Sequence, residues 1–104
     1  MFKTTFKEEG KNYVMAFEGR LDTAATAQVK KDIQALDNCE GHDIVLDCSQ
    51  LTYICSSGLR LFLAVLKNAR SKGSRTIITG LNDEMYDVFV ETGFTQLFEI
   101  RRND

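Results

Sequence analysis

At 104 residues, 43% hydrophobic and 27% charged, the chain has the size and apolar content of one compact domain spanning residues 1–104, with no room for two. A formal net charge of −2 and a pI near 5.4 speak against the basic stripe of a nucleic-acid reader, so no direct nucleic-acid partner is expected. Three cysteines, Cys39, Cys48 and Cys55, without C-x-x-C spacing, indicate neither a disulfide framework nor a zinc site and fit a reducing compartment.

The opening Met1-Phe2-Lys3-Thr4-Thr5-Phe6-Lys7 lacks the apolar core of a signal peptide, and no later stretch approaches the roughly 18 apolar residues of a spanning helix. The expectation is a soluble cytoplasmic protein without membrane insertion. Phe2, Thr4 and Phe6 alternate with polar neighbours, and Tyr13, Met15 and Phe17 do the same, which predicts two strands with a hairpin at Gly10. From Thr23 to Leu36, Ala25, Val29, Ile33 and Leu36 fall on one helical stripe, with Asp22 placed to cap it.

Ile44-Val45-Leu46, enclosed by Asp43 and Asp47, reads as a short buried central strand. A helix follows from Ser56 or Ser57 to Gly73, with Leu59, Phe62, Leu63, Leu66 and Ala69 facing inward. Leu61 and Val65 widen that stripe, either toward a partner or toward neighbouring helices of the same domain. Thr76 to Thr79 resumes the strand pattern; Asn82 caps a helix that buries Met85, Val88 and Phe89 and ends at Gly93, and a last strand covers Leu97 to Ile100. The order ββαβαβαβ implies an α/β fold with a mixed, mostly parallel sheet and right-handed helical crossovers.

The segment Leu51-Thr52-Tyr53-Ile54-Cys55-Ser56-Ser57-Gly58-Leu59-Arg60 turns from an apolar strand exit into two hydroxyls, a glycine and an amphipathic helix. Unpaired N–H groups and the positive macrodipole end at a helix start favour an anion such as a phosphate on a serine there. The same residues also fit plainer roles. Either serine can simply cap the helix, Gly58 can serve close helix–strand packing, and Arg60 can be a solvated helix residue. A thiol at a helix start can gain thiolate character, which gives Cys55 a minor redox reading beside that of a small hydrophobe.

Gly19-Arg20-Leu21-Asp22, Ile44-Val45-Leu46-Asp47 and Tyr53-Ile54-Cys55-Ser56-Ser57-Gly58-Leu59 resemble the three signature blocks of the STAS family, a likeness covering nearly the whole chain. In the anti-sigma factor antagonists of that bacterial family the last block usually reads Asp-Ser-Ser-Gly-Leu or Asp-Ser-Thr-Gly-Leu. The hydroxyl residue after the aspartate is phosphorylated by the anti-sigma factor. The resemblance implies a STAS-like domain with Ser56 as phosphoacceptor and Ser57 as fallback. It further implies a phosphoacceptor loop and partner surface drawn from Asp22, Asp47, Cys55, Ser57, Gly58, Leu59, Arg60 and Leu61. Asp22 doubles as a helix cap, and Asp47 is placed at the end of the central strand, where it can also merely terminate it. Cys55 stands where the family carries the aspartate; slower modification, a different partner and binding without phosphorylation are the three consequences open to it.

The function so implied is transcription regulation by protein–protein interaction: the unphosphorylated protein sequesters an anti-sigma factor serine kinase and frees a sigma factor. A serine phosphatase reverses the modification. The chain is expected to be no enzyme and to need no cofactor or metal, ATP being bound by the kinase. The alternative is a non-phosphorylated STAS docking module of another assembly, for example in lipid transport or signalling. A serine hydrolase is disfavoured because a G-x-S-x-G elbow centred on Ser56 needs glycine where Ile54 stands. His42, the sole histidine, precedes the serine and reads as a loop residue before a strand. Neither G-x-G-x-x-G nor a P-loop occurs. Residues Arg101 to Asp104 are too few to supply the further C-terminal helix that many family members carry.

Overall fold

The computed structural model describes residues 1–102, so the reading of the tail at Asn103 and Asp104 lies outside the described residues. Strands β1 (Lys3–Glu9) and β2 (Asn12–Leu21) form the hairpin that alternation predicts, turning at Gly10 with φ +59°. Helix α1 (Thr23–Asp32) starts at Asp22, whose Oδ1 accepts the Ala25 N–H at 3.0 Å. Its last predicted turn, Ile33–Leu36, is a 3-10 helix, a tightening common at helix ends that keeps Leu36 buried.

Strand β3 runs Asp43–Ile54, seven residues beyond the strand expected to close at Asp47. Past Asp47 it pairs with β2 alone, through two register shifts, between Ala16 and Glu18 and between Gly19 and Arg20. Ser49 and Gln50 are both exposed, so the two-residue period that marks a strand is broken there. Helix α2 (Ser56–Ser71) ends at Lys72 and the left-handed Gly73, φ +75°. Strand β4 (Thr76–Thr79) matches its expected bounds. Helix α3 (Asp83–Glu91) is capped by Asn82, whose side-chain oxygen accepts the Met85 N–H at 2.7 Å. A 3-10 turn, Phe94–Gln96, then leads into β5 (Glu99–Arg101). The last strand therefore starts later than Leu97, whose amide donates to the Phe94 carbonyl at 3.1 Å and belongs to the turn.

The sheet order is β1-β2-β3-β4-β5, with β1 antiparallel to β2 and the remaining pairs parallel. Each parallel connection steps to the next strand in the same direction, so right-handed crossovers put all three helices on one face. A single apolar core fills that interface, joining Met15, Phe17, Ile44, Leu46 and Ile78 of the sheet to Val29, Phe62, Leu66, Met85 and Phe89 of the helices. Phe62 lies at its centre, with ring centroids 5.0 Å from Phe17 and 6.1 Å from Phe89. Val65 is buried in this core and Leu61 is half-buried against it. Packing within the domain therefore takes up Val65 and part of Leu61. No helix among the described residues is long and apolar enough to cross a membrane.

The end of the sheet away from the α2 start is pinned by charge. Asp43 accepts the Arg75 backbone N–H at 3.0 Å and also binds its guanidinium, which reaches on to Glu99. The backbone hydrogen bond first, then the guanidinium, holds the Asp43 carboxyl below the usual carboxylate range. His42, in the loop before β3 as expected, stacks on Tyr13 with centroids 4.1 Å apart. A carboxyl with a depressed folded-state pKa stabilises the fold above its unfolded value and loses that contribution as pH falls through the folded value. Urea unfolding of Asp43→Asn and wild type should therefore differ at neutral pH and converge in acid below the ordinary value of 3.8; a gap that stays constant with pH would contradict the clamp.

Candidate functional site

The site forms where β2 and β3 end side by side. Leu21 pairs with Ile54, and the Cys55 N–H donates to the Leu21 carbonyl at 2.9 Å, carrying the pairing one residue past the strand. The chain then turns into α2 with Cys55 as N-cap in extended conformation, φ −89° and ψ 171°. Ser56 is thus the first helical residue and Ser57 the second. Ser56 is exposed, Ser57 half-buried, and Gly58 and Leu59 buried.

Gly58 sets this geometry. A Cβ at that position would stand 2.9 Å from Ile54 Cγ1 and 2.9 Å from Leu21 Cγ, closer than packed carbons approach. Its absence lets the first turn of α2 rest on the two strand ends, which leaves Ser56 on the outer side of that turn. Gly19 has a related role in the first block: its φ of +102° suits glycine, and the Met1 carbonyl oxygen lies 2.3 Å from where a Cβ would be.

The helix start carries unpaired donors. The first intrahelical bond runs from the Leu59 N–H to the Cys55 carbonyl at 3.0 Å, so the amides of Ser56, Ser57 and Gly58 have no helical acceptor. The capping residue supplies none either, because the Cys55 side chain makes no capping hydrogen bond; its Sγ only approaches Ser57 Oγ at 3.9 Å. Neither serine is the N-cap, so the plain capping role open to them in the sequence belongs to Cys55, a poor acceptor. The arrangement can accept an anion on Ser56 without breaking a hydrogen bond of the helix.

The remaining sequence-nominated residues divide. Asp22 lies one residue past the Leu21–Ile54 pair, half-buried, with its carboxylate engaged as the α1 cap. Arg60 is exposed one turn after Ser56, and Leu59 and Leu61 face the core to different depths. Asp47 is not at a strand end. It sits within β3, paired between Ala16 and Thr79, and its Oδ1 accepts the Ser49 N–H at 3.0 Å beside the register shift. Its side chain lines a shallow cavity on the helix-free face with Lys7, Ala16, Val45 and Thr79. Cys39 and Cys48 are fully buried, and burial pushes the Cys48 thiol far up.

Sequence reasoning passed over Arg20 and Tyr53 as individual residues. They pair across β2 and β3, and the Arg20 guanidinium carbon lies 4.3 Å from the Tyr53 ring centroid. The available signal was alternation: the next residues, Leu21 and Ile54, are apolar, which turns Arg20 and Tyr53 outward.

A family model described as the STAS domain matches residues 3–103. The anti-sigma-B factor antagonist of Listeria monocytogenes serovar 1/2a is 27% identical over 96 residues, covering 91% of this chain and 84% of that protein. Among solved structures, the anti-sigma factor antagonist SpoIIAA in its unphosphorylated form aligns over 98% of this chain and 90% of its own, with TM-score 0.76 and 19% identity. The Bacillus cell fate determinant SpoIIAA in the phosphorylated form aligns over 98% and 92%, with TM-score 0.74 and 20% identity. At such identities these structures show a shared fold.

An acceptor at the N-cap is typically worth about 0.5–2 kcal/mol over a residue that cannot accept. Cys55→Asp should raise the unfolding free energy by that amount in urea titrations. An unchanged or lowered value would mean that the first turn already has its acceptor.

Proposed function

The chain belongs to the STAS domain family, and from that premise we propose that it is an anti-sigma factor antagonist operated by phosphorylation of Ser56. The observation that carries the proposal is the setting of Ser56: an exposed hydroxyl on the first residue of α2, inside the family's third signature block. The similarity to the Listeria anti-sigma-B factor antagonist supports the regulatory class. Ser57 is the weaker candidate because it is half-buried and its oxygen faces Cys55.

In this reading the unphosphorylated surface around Ser56 docks an anti-sigma factor serine kinase and so frees a sigma factor. In the kinase complex with ATP, Ser56 Oγ attacks the γ-phosphorus; the new O–P bond forms as the bond to the ADP oxygen breaks, and the hydroxyl proton leaves to the kinase or solvent. The chain is a substrate here, and the chemistry belongs to its partner. The phosphate adds about −1.5 to −2 charge and three acceptor oxygens. One like-charge contact at about 5 Å, in an effective dielectric near 20, costs roughly 3 kcal/mol, or about a hundredfold in affinity. The unpaired amides of α2 accommodate the same charge locally, so the domain stays folded while the complex weakens. A serine phosphatase then restores the docking form.

A second reading, a STAS module that docks without being modified, is favoured by Cys55 in place of the family aspartate. Incubation with the anti-sigma factor kinase and Mg-ATP, followed by intact-mass and peptide analysis, separates the two. The switch reading expects one phosphoryl group on Ser56 and none on the Ser56→Ala variant. It also expects Ser56→Ala to hold the kinase as wild type does and Ser56→Asp to bind about a hundredfold more weakly. Equal affinities of the two variants, with no phosphate on either serine, would leave the docking-only module.

A further inference from the structure

Next to the acceptor serine, the ends of β2 and β3 carry an exposed pair that packing does not explain. Arg20 lies over the Tyr53 ring at 4.3 Å, a cation–π distance, and Tyr53 keeps 37% of its surface exposed. The residues that follow each of them, Leu21 and Ile54, are buried, so the stack faces away from the helices. On the other side of Ser56, Arg60 is exposed one helical turn along α2, with about 5–6 Å expected between the two Cβ atoms.

Neither Arg20 nor Arg60 has an ion-pair partner among the described residues. The acids closest to them along the chain are engaged elsewhere: Asp22 caps α1, and Glu18 faces Lys3 at 3.9 Å. Arg20 and Arg60 thus stand unpaired at the end of the sheet where the N-termini of α1, α2 and α3 gather, with Asp83 and Glu84 in the first turn of α3 as the acids of the third helix start.

We propose that the Arg20–Tyr53 stack and Arg60 form a basic, aromatic anchor on either side of Ser56 that selects a protein partner presenting an acidic surface. The inference rests on the reading that the surface around Ser56 docks a protein. Tyr53 precedes Ser56 by three residues, so their Cα atoms are at most about 11 Å apart. An interface of standard size, about 800 Å² per partner, covers the stack, Ser56 and Arg60 together. Arginine and tyrosine are the residue types that dominate interface energetics, and a stacked pair is already ordered before docking. The anchor also accounts for the direction of the switch. Carboxylates drawn in by Arg20 and Arg60 are the groups that a dianion on Ser56 repels, and the phosphate competes with them for the same arginines.

The test measures affinity for the histidine-kinase-like anti-sigma ATPase encoded nearest to this chain's gene, across a range of ionic strength. The variants are Arg20→Glu, Arg60→Glu, Tyr53→Ala and Ser56→Asp, with Lys67→Glu as a charge control elsewhere on α2 and thermal unfolding as a check of fold. The anchor expects Arg20→Glu and Arg60→Glu each to weaken binding about tenfold or more and to flatten its salt dependence. Tyr53→Ala should weaken it with the salt dependence kept, and Lys67→Glu should match wild type. Wild-type affinity and salt dependence in both arginine variants, while Ser56→Asp still weakens binding, would overturn the anchor and leave the switch standing. Arginine effects without any effect of Ser56→Asp would do the reverse. Arginine-dependent capture on phosphatidylglycerol vesicles, with no binding to the ATPase, would also overturn the anchor.

Discussion

The contact between the first turn of α2 and the paired ends of β2 and β3 governs the rest of this molecule. Gly58 permits it, because any side chain there would meet Leu21 and Ile54 at 2.9 Å. With the helix so seated, Leu59 and Phe62 drop into the core and Ser56 is left on the outside. The exposure of one hydroxyl therefore follows from a packing constraint two residues away, which ties the stability of the domain to the presentation of Ser56.

The second constraint is electrostatic. A helix start leaves three amides without acceptors, and Cys55 does not supply one from its side chain. A carboxylate in the place of Cys55 would accept from one of those donors and add a negative charge beside Ser56, making a phosphate less welcome locally. The thiol leaves the donors open, so the first turn keeps its capacity to receive an anion. Arg20, stacked on Tyr53, and Arg60 stand near the same turn without an ion-pair partner among the described residues.

Much of this was legible in the sequence, for identifiable reasons. Asp22 and Asn82 cap their helices as their positions announce, and Gly73 and Gly93 end theirs in left-handed conformation. The strand–loop–helix passage into Ser56 was visible because a strand-like run, two hydroxyls, a glycine and a helical stripe follow one another without interruption. The extent of β3 was hidden, since two register shifts against β2 break the alternation that marks a strand. Asp47 was misplaced for the same reason: a polar residue after three apolar ones looks like an exit, and only the pairing with Ala16 and Thr79 puts it within the sheet. The breadth of α2 could not be divided between core and partner from periodicity, because a helix flanked on both sides buries more than one stripe. The Arg20–Tyr53 stack depends on cross-strand register, which no single segment encodes.

The central claim is that a dianion on Ser56 leaves the domain folded and removes its docking surface. Nitrogen-15-labelled protein carrying phosphoserine installed biosynthetically at position 56 tests both halves in one titration with the anti-sigma factor kinase. The account expects amide shifts, relative to unmodified protein, confined to the α2 start and its neighbours at Asp22 and Tyr53, and no line broadening on adding the kinase. Shifts spread through the core, or broadening equal to that of the unmodified protein, would contradict it.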